Sequence, residues 1–206
     1  MVSLALDVPA AVVGGGCAFF TGRGDAGSRD TRRAVGRQLA REALAALGGP
    51  VAEVGRDRFG APVWPEGFTG SFSHSGDETA VLVARSDRYL AVGLDWEVVG
   101  RIGVELWGAV FTPREVAFLR RMARPELATA LFAAKEAVQK ARYAASGSWT
   151  AVEGFEVALR EERFGVRGDE TLAGWFRGDG RRVVAACGIR SLGAETESTA
   201  AFEGRS

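Results

Sequence analysis

The stretch YLAVGLDWE, Tyr89 to Glu97, decides how the rest of the chain is read. Strand alternation places Leu90, Val92, Leu94 and Trp96 on one face and Ala91, Gly93, Asp95 and Glu97 on the other. The first face is a core face. The second offers small residues and then two carboxylates two positions apart. Such a pair repels itself unless a cation or a basic group stands between, and hard oxygen ligands of this kind suit Mg²⁺. Taken alone, the motif is better explained as a solvent-facing strand edge with two ordinary acids.

Upstream of this strand, Asp30 to Leu47 reads as a helix with Val35, Leu39, Ala43 and Ala46 on one face. Gly48, Gly49 and Pro50 end it. A loop through Pro62, Pro65 and Gly67 follows, then strand-like runs around Phe72 and over TAVLVA. Downstream, Thr112-Pro113-Arg114-Glu115 is a helix start with a Thr cap, Pro at the first position and a capping-box Glu. A further helix runs from about Glu126 to Ala144. FEVALRE, TLAGWFR and RRVVAACGI read as strands, the last two joined by Gly178-Asp179-Gly180. Each half of the chain therefore has a helix and about three strands, an α+β arrangement in two similar halves. The boundaries fall at 1–88, 89–190 and a flexible polar tail over 191–206.

Composition limits the function classes. The chain has 206 residues and a net charge of zero, which argues against a protein that coats nucleic acid. Cys17 and Cys187 are too far apart for a metal or redox motif, and a reducing compartment suits them. Val2 to Val13 lacks a basic flank and is broken by Asp7 and Pro9, so neither a signal sequence nor a membrane segment is expected, and the chain reads as cytoplasmic. Gly14 to Gly16 lacks dinucleotide-site spacing, and no P-loop motif is present.

All but two of the 26 basic residues are arginine. Both lysines, Lys135 and Lys140, fall in FAAKEAVQK, where Arg would not reproduce a compact ammonium. On a helix Glu136 and Lys140 share one face, and Lys135 lies at the edge of the Leu127, Leu131 and Val138 stripe, able to snorkel. A plain i,i+4 ion pair explains this segment equally well. The only histidine, His74, sits in GSFSHS (Gly70 to Ser75), where hydroxyls and an imidazole can donate to phosphate. Arg29, Arg33, Arg37 and Arg41 recur every four residues, with Arg56 and Arg58 in the next loop. They form either a solvated face or an anion cradle.

The order of these pieces is more specific than any one of them. A basic helix, then P-x-W-P-x-G-(x)2-G-S-x-S-H-S, then V-G-L-D-W-E, then F-x-x-K-E-A-x-x-K resembles the 4′-phosphopantetheinyl transferases. The likeness is to the larger single-chain bacterial type of siderophore and lipopeptide pathways. It spans roughly Arg29 to Arg142. The resemblance implies that Asp95, Glu97 and Glu136 hold Mg²⁺ (or Mn²⁺). It assigns His74 and Ser73 to a coenzyme A phosphate, and Arg29, Arg37, Arg56 and Arg58 to the other phosphates. Lys135 and Lys140 are the lysines of its KE-x-x-x-K helix, with Lys140 near the pyrophosphate.

The family's glycine-x-lysine-proline element appears here as Phe59-Gly60-Ala61-Pro62, with Ala61 in place of the lysine and Arg56 or Arg58 as the replacement charge. The implied reaction moves phosphopantetheine from coenzyme A to a serine of an acyl, peptidyl or aryl carrier protein and releases 3′,5′-ADP. Glu136, Lys140 and His74 are the catalytic candidates in that reaction. The resemblance also implies a monomer, and the charge balance and lack of an apolar span lead us to expect no nucleic-acid or membrane partner. Docking of the carrier is expected near Val98 to Phe111, through Val104, Leu106, Trp107, Val110 and Phe111. A Mg²⁺-dependent nucleotide or pyrophosphate hydrolase, or a non-catalytic coenzyme A-binding module, would use the same residues.

Overall fold

A computed structural model of the chain describes residues 16–24 and 29–191. The Val2–Val13 stretch, Gly14 and most of the polar tail lie outside the described residues.

The first helix, α1 (Arg29–Ala46), agrees with the sequence reading to within a residue at each end. Leu39, Ala40, Ala43 and Leu44 are its buried stripe. It stops at Gly48, whose φ of 70° an L side chain rarely adopts. The stripe packs on a three-stranded antiparallel sheet ordered β1 (Cys17–Arg23), β5 (Glu78–Arg85) and β4 (Phe68–Ser75). Val81 and Val83 of β5 meet the helix, while Ala80, Leu82 and Ala84 point the other way. Between α1 and β4 a small hairpin, β2 (Gly55–Arg56) with β3 (Pro62–Val63), forms its own two-stranded sheet.

The second sheet has five antiparallel strands, in the order β6 (Tyr89–Val98), β10 (Arg182–Arg190), β9 (Asp169–Gly178), β8 (Arg163–Val166) and β7 (Val157–Arg160). The sequence pattern predicts no strand at β1 or β8; both are strands here. Val92, Leu94 and Trp96 of β6 join Ala80, Leu82 and Ala84 of β5 in a core between the two sheets. The opposite face of the five-stranded sheet carries α4 (Pro125–Ser146), whose Leu131, Ala134 and Val138 pack with Phe164, Leu172, Val183 and Ala185. The architecture is thus α+β, with a helix on the outer face of each sheet.

Two short segments precede α4. A one-turn α2 (Trp107–Val110) lies within the expected docking stretch Val98 to Phe111. Next, α3 (Pro113–Met122) begins at Thr112 with the predicted capping box complete. Its Glu115 does more than cap. Oε2 accepts from Thr112 N at 2.7 Å and from Lys135 Nζ at 2.7 Å, while Oε1 accepts from Lys135 Nζ at 2.8 Å and Val157 N at 2.7 Å. One buried carboxylate therefore ties α3, α4 and β7 together.

β6 is the edge of its sheet, and two of its outward N–H groups are satisfied by hydroxyls instead of a strand partner. Leu94 N donates to Ser71 Oγ at 3.1 Å and Trp96 N to Ser73 Oγ at 3.0 Å. Ser71 and Ser73, two of the three serines of GSFSHS, join the sheets in this way and set β4 beside β6. A second link is Glu78 of β5, which pairs with Arg23 of β1 and Arg182 of β10.

Candidate active site

The acidic face of β6 is small because a helix lies on it. A Cβ at Gly93 would stand 1.8 Å from the carbonyl oxygen of Ala137, so α4 rests on the bare backbone there. That approach places Lys140 Nζ 2.9 Å from Leu94 O and 2.7 Å from Asp95 Oδ1. Asp95 is buried; its Oδ1 also accepts from Ser73 Oγ at 3.0 Å, and its Oδ2 is buried with no hydrogen-bond partner. Glu97 is buried beside it and accepts from Arg101 Nη1 at 3.0 Å. Glu136 stands one turn before Lys140 on α4.

These carboxylates feel one another. Burial, and after it the charge of Asp95, pushes both Glu97 and Glu136 above the ordinary carboxylate range. Two carboxyls that resist ionisation, beside a buried Asp95 whose Oδ2 has no partner, have the donor chemistry a hard divalent cation requires. As the side chains stand, among the described residues no group of three acidic, histidine or cysteine side chains forms a metal-holding cluster. The cationic partner of Asp95 in this structure is Lys140.

His74, on β4, shares this neighbourhood. Its Nδ1 is 2.9 Å from Thr79 Oγ1. Desolvation, then the positive charges of Lys140, Arg32 and Arg56, holds its imidazole below the usual histidine range. Lysine, histidine and two arginines therefore converge from α4, β4, α1 and β2. Arg32, one step off the 29-33-37-41 stripe, is absent from the sequence-based set. Its sequence position gave no signal; on α1 it lies one turn before Gly36, which stands against Phe72 and Thr79 beside the histidine.

The other candidates are placed as follows. Arg37 is exposed on α1, and Arg33 and Arg41 pair at 3.8 and 4.0 Å with Asp30 and Glu53. Arg29 opens α1, and its side chain lies outside the described residues. Arg56 Nη1 donates to Gly60 O at 2.6 Å, and Arg58 lies 4.7 Å over the ring of Phe59.

Two expectations need correction. Lys135 does not snorkel: its side chain is 0% exposed, and its ammonium donates to both Glu115 oxygens and, at 2.6 Å, to Phe155 O. All three protons are committed, so it serves the fold and not a phosphate. Ser73 is likewise buried, with its hydroxyl engaged by Asp95 and Trp96 N.

Of the expected docking stretch, Val98, Val104 and Leu106 are exposed, whereas Phe111 is in the core and Trp107 and Val110 pack against it. Among the described residues no helix is long and apolar enough to cross a membrane.

Comparison with known proteins divides at the same place as the sheets. The model of the 4′-phosphopantetheinyl transferase N-terminal domain matches residues 27–84, and that of the 4′-phosphopantetheinyl transferase superfamily matches residues 91–187. The chain belongs to the 4′-phosphopantetheinyl transferase superfamily. Among its relatives, the 4′-phosphopantetheinyl transferase Npt of Nocardia iowensis is 36% identical over 123 residues, 59% of this chain and 54% of that protein. The 4′-phosphopantetheinyl transferase PptT of Mycobacterium tuberculosis is 31% identical over 134 residues, 64% of this chain and 59% of that protein. The 4′-phosphopantetheinyl transferase Svp of Streptomyces mobaraensis is 36% identical over 115 residues, 54% of this chain and 47% of that protein. The chain spans about half the length of the curated relatives it matches. In this superfamily member, both matched regions contribute to the convergence described above: His74 comes from the first, and Asp95, Glu97, Glu136 and Lys140 from the second.

Proposed function

We propose that the chain transfers 4′-phosphopantetheine from coenzyme A to a serine of an apo carrier protein, with Mg²⁺, and releases 3′,5′-ADP. The observation that carries this reading is the meeting of Asp95, Glu97 and Glu136 with Lys140 and His74 across β6, α4 and β4. A pyrophosphate donor presents clustered negative charge, and transfer from it depends on positioning and charge neutralisation. Asp95, Glu97 and Glu136 would hold the cation, which when bound supplies Lewis-acid and template chemistry.

The protein's own groups have the remaining tasks. The carrier serine oxygen bonds to the phosphorus on the pantetheine side, and the bond from that phosphorus to the ADP-side oxygen breaks. Glu136 takes the serine proton. Lys140 and His74 balance the charge that develops on the departing phosphate, and Arg37, Arg56 and Arg58 hold the phosphates of the donor. Arg56 and Arg58 are the charges available to replace the lysine absent at Ala61. The exposed Val98, Val104 and Leu106 fit an apolar docking surface for the carrier. We also assign the two sheets with their helices to two similar halves, 1–88 and 89–190, of a cytoplasmic monomer.

Incubation with coenzyme A, Mg²⁺ and an apo carrier tests the reading. Transfer yields a carrier heavier by one phosphopantetheine. Hydrolysis yields free products and an unchanged carrier, and binding alone yields neither; either result overturns the proposal.

A further inference from the structure

The β2–β3 hairpin carries Arg56, yet an isolated two-stranded hairpin is marginal in water. Its loop is organised around one side chain. Asp57 Oδ1 accepts from Phe59 N at 2.9 Å and Ala61 N at 2.8 Å, and Asp57 N donates to Ala61 O at 2.9 Å. The other carboxylate oxygen, Oδ2, accepts from Tyr143 Oη at 2.7 Å, across 86 positions of sequence. Tyr143 stands three residues after Lys140, on the same side of α4 as Glu136 and Lys140. The edge of the Phe59 ring meets the Tyr143 ring at 6.4 Å, and Tyr143 meets Trp149 at 5.9 Å. The helix that presents Lys140 and Glu136 therefore also holds the loop that presents Arg56.

We propose that Asp57 and Tyr143 form a latch that positions the Arg56 loop against the α4 side of the site, so that Arg56 meets a coenzyme A phosphate in register with Lys140. Neither residue touches the ligand in this account; both are positioning residues. The inference rests on the coenzyme A reading above. The latch also explains how a loop without a lysine at position 61 fixes its charge. The Asp57 carboxyl is held below the usual carboxylate range, first by the Tyr143 hydroxyl, so the latch stays charge-assisted at neutral pH.

The test uses the full chain in four forms: wild type, Tyr143→Phe, Arg56→Ala and the double variant. Tyr143→Phe removes one oxygen and keeps the ring. It is expected to weaken coenzyme A binding, read by calorimetry, by roughly 3- to 10-fold. Deuterium uptake over residues 55–63 should rise, with kcat at saturating coenzyme A and the global unfolding midpoint unchanged. In the Arg56→Ala background the same change should cost little further affinity, because the latch acts through that guanidinium. Asp57→Asn, which weakens the same contact from the other side, should reproduce the affinity loss.

Unchanged affinity in Tyr143→Phe despite faster exchange, or additive losses in the double variant, would overturn the latch. Wild-type protein that binds no coenzyme A would instead overturn the functional reading, and the latch's role with it.

Discussion

Gly93 and Ala137 are in backbone contact: a Cβ at position 93 would overlap the Ala137 carbonyl at 1.8 Å. Lys140 and Glu136 reach β6 only because that contact exists. Gly93→Ala must therefore push α4 off the sheet. The expected cost is about 3 kcal/mol or more, since backbone atoms cannot yield as a flexible side chain would. Urea unfolding measures it, and a loss below about 1 kcal/mol would show that α4 relaxes without strain.

Lys135 and Glu115 give a second stability prediction. Lys135→Met keeps the length and volume but leaves a buried carboxylate without its cation. Removing one partner of a buried pair costs about 3–5 kcal/mol. Glu115 would still cap α3 through Thr112 N and bond Val157 N, so the fold should persist at low temperature. Coenzyme A affinity of the folded variant should match wild type, as calorimetry would show. A lysine that held a phosphate would lose affinity instead.

Much of the fold was legible because its signals are local. The α3 capping box, the Gly48 stop of α1 and the Gly178–Gly180 turn each depend on residues within one turn of each other. The β6 alternation was legible from Val92 onward, and it foretold that Trp96 would enter the core and Asp95 the opposite face; Leu90, expected on the core face, is exposed. The failures are tertiary. Strand β8 follows Glu161, a non-glycine at φ 53°, so no residue type announces the turn. Lys135 sits beside an apolar stripe, and nothing near it reveals that its counter-charge is a capping glutamate 20 positions upstream. Ser71 and Ser73 have the composition of a phosphate site, yet they accept the edge N–H groups of β6. That role depends on which strand lies alongside.

His74 should report ligand binding as proton uptake. Desolvation and three nearby cations hold its imidazole below the usual histidine range, which disfavours the imidazolium before a ligand arrives. An arriving phosphate reverses the local field and favours the imidazolium. Calorimetry of 3′,5′-ADP binding in buffers of different ionisation enthalpy should show net uptake in wild type and none in His74→Gln. The linkage sign for stability follows from the same shift. The unfolded chain binds the proton more readily than the native one, so native stability falls as pH drops through 6.5 toward the lower folded value. Equal proton uptake in the two proteins would remove His74 from the phosphate site.

Glu136→Gln separates chemistry from a surface ion pair. It preserves size and helix propensity while removing charge and basicity. A helix-surface pair predicts a stability loss below about 1 kcal/mol and full activity. The catalytic role predicts a kcat lower by at least ~10²-fold, with no loss in the unfolding midpoint. Lys140→Arg is the parallel variant, since a planar guanidinium does not reproduce an ammonium packed against Asp95 and the Leu94 carbonyl.

The arginines of α1 can be sorted by substrate. If Arg37 holds the 3′-phosphate, Arg37→Ala should raise the KM for coenzyme A by about 10- to 100-fold. It should leave 3′-dephospho-coenzyme A nearly unaffected, because that donor lacks the group to be held. Arg32 makes a different prediction. Its charge reaches His74, so Arg32→Ala should weaken both donors together. A long-range field from the exposed helix face would also weaken both donors, but added salt would erase that difference, whereas a close contact beside His74 resists screening. The measurement is KM for both donors with wild type and each variant at two ionic strengths. Equal, salt-sensitive losses for Arg37→Ala would return Arg37 to the solvated face of α1. The phosphate-holding role would then pass to Arg32 and Arg56, the two arginines whose charge reaches the histidine.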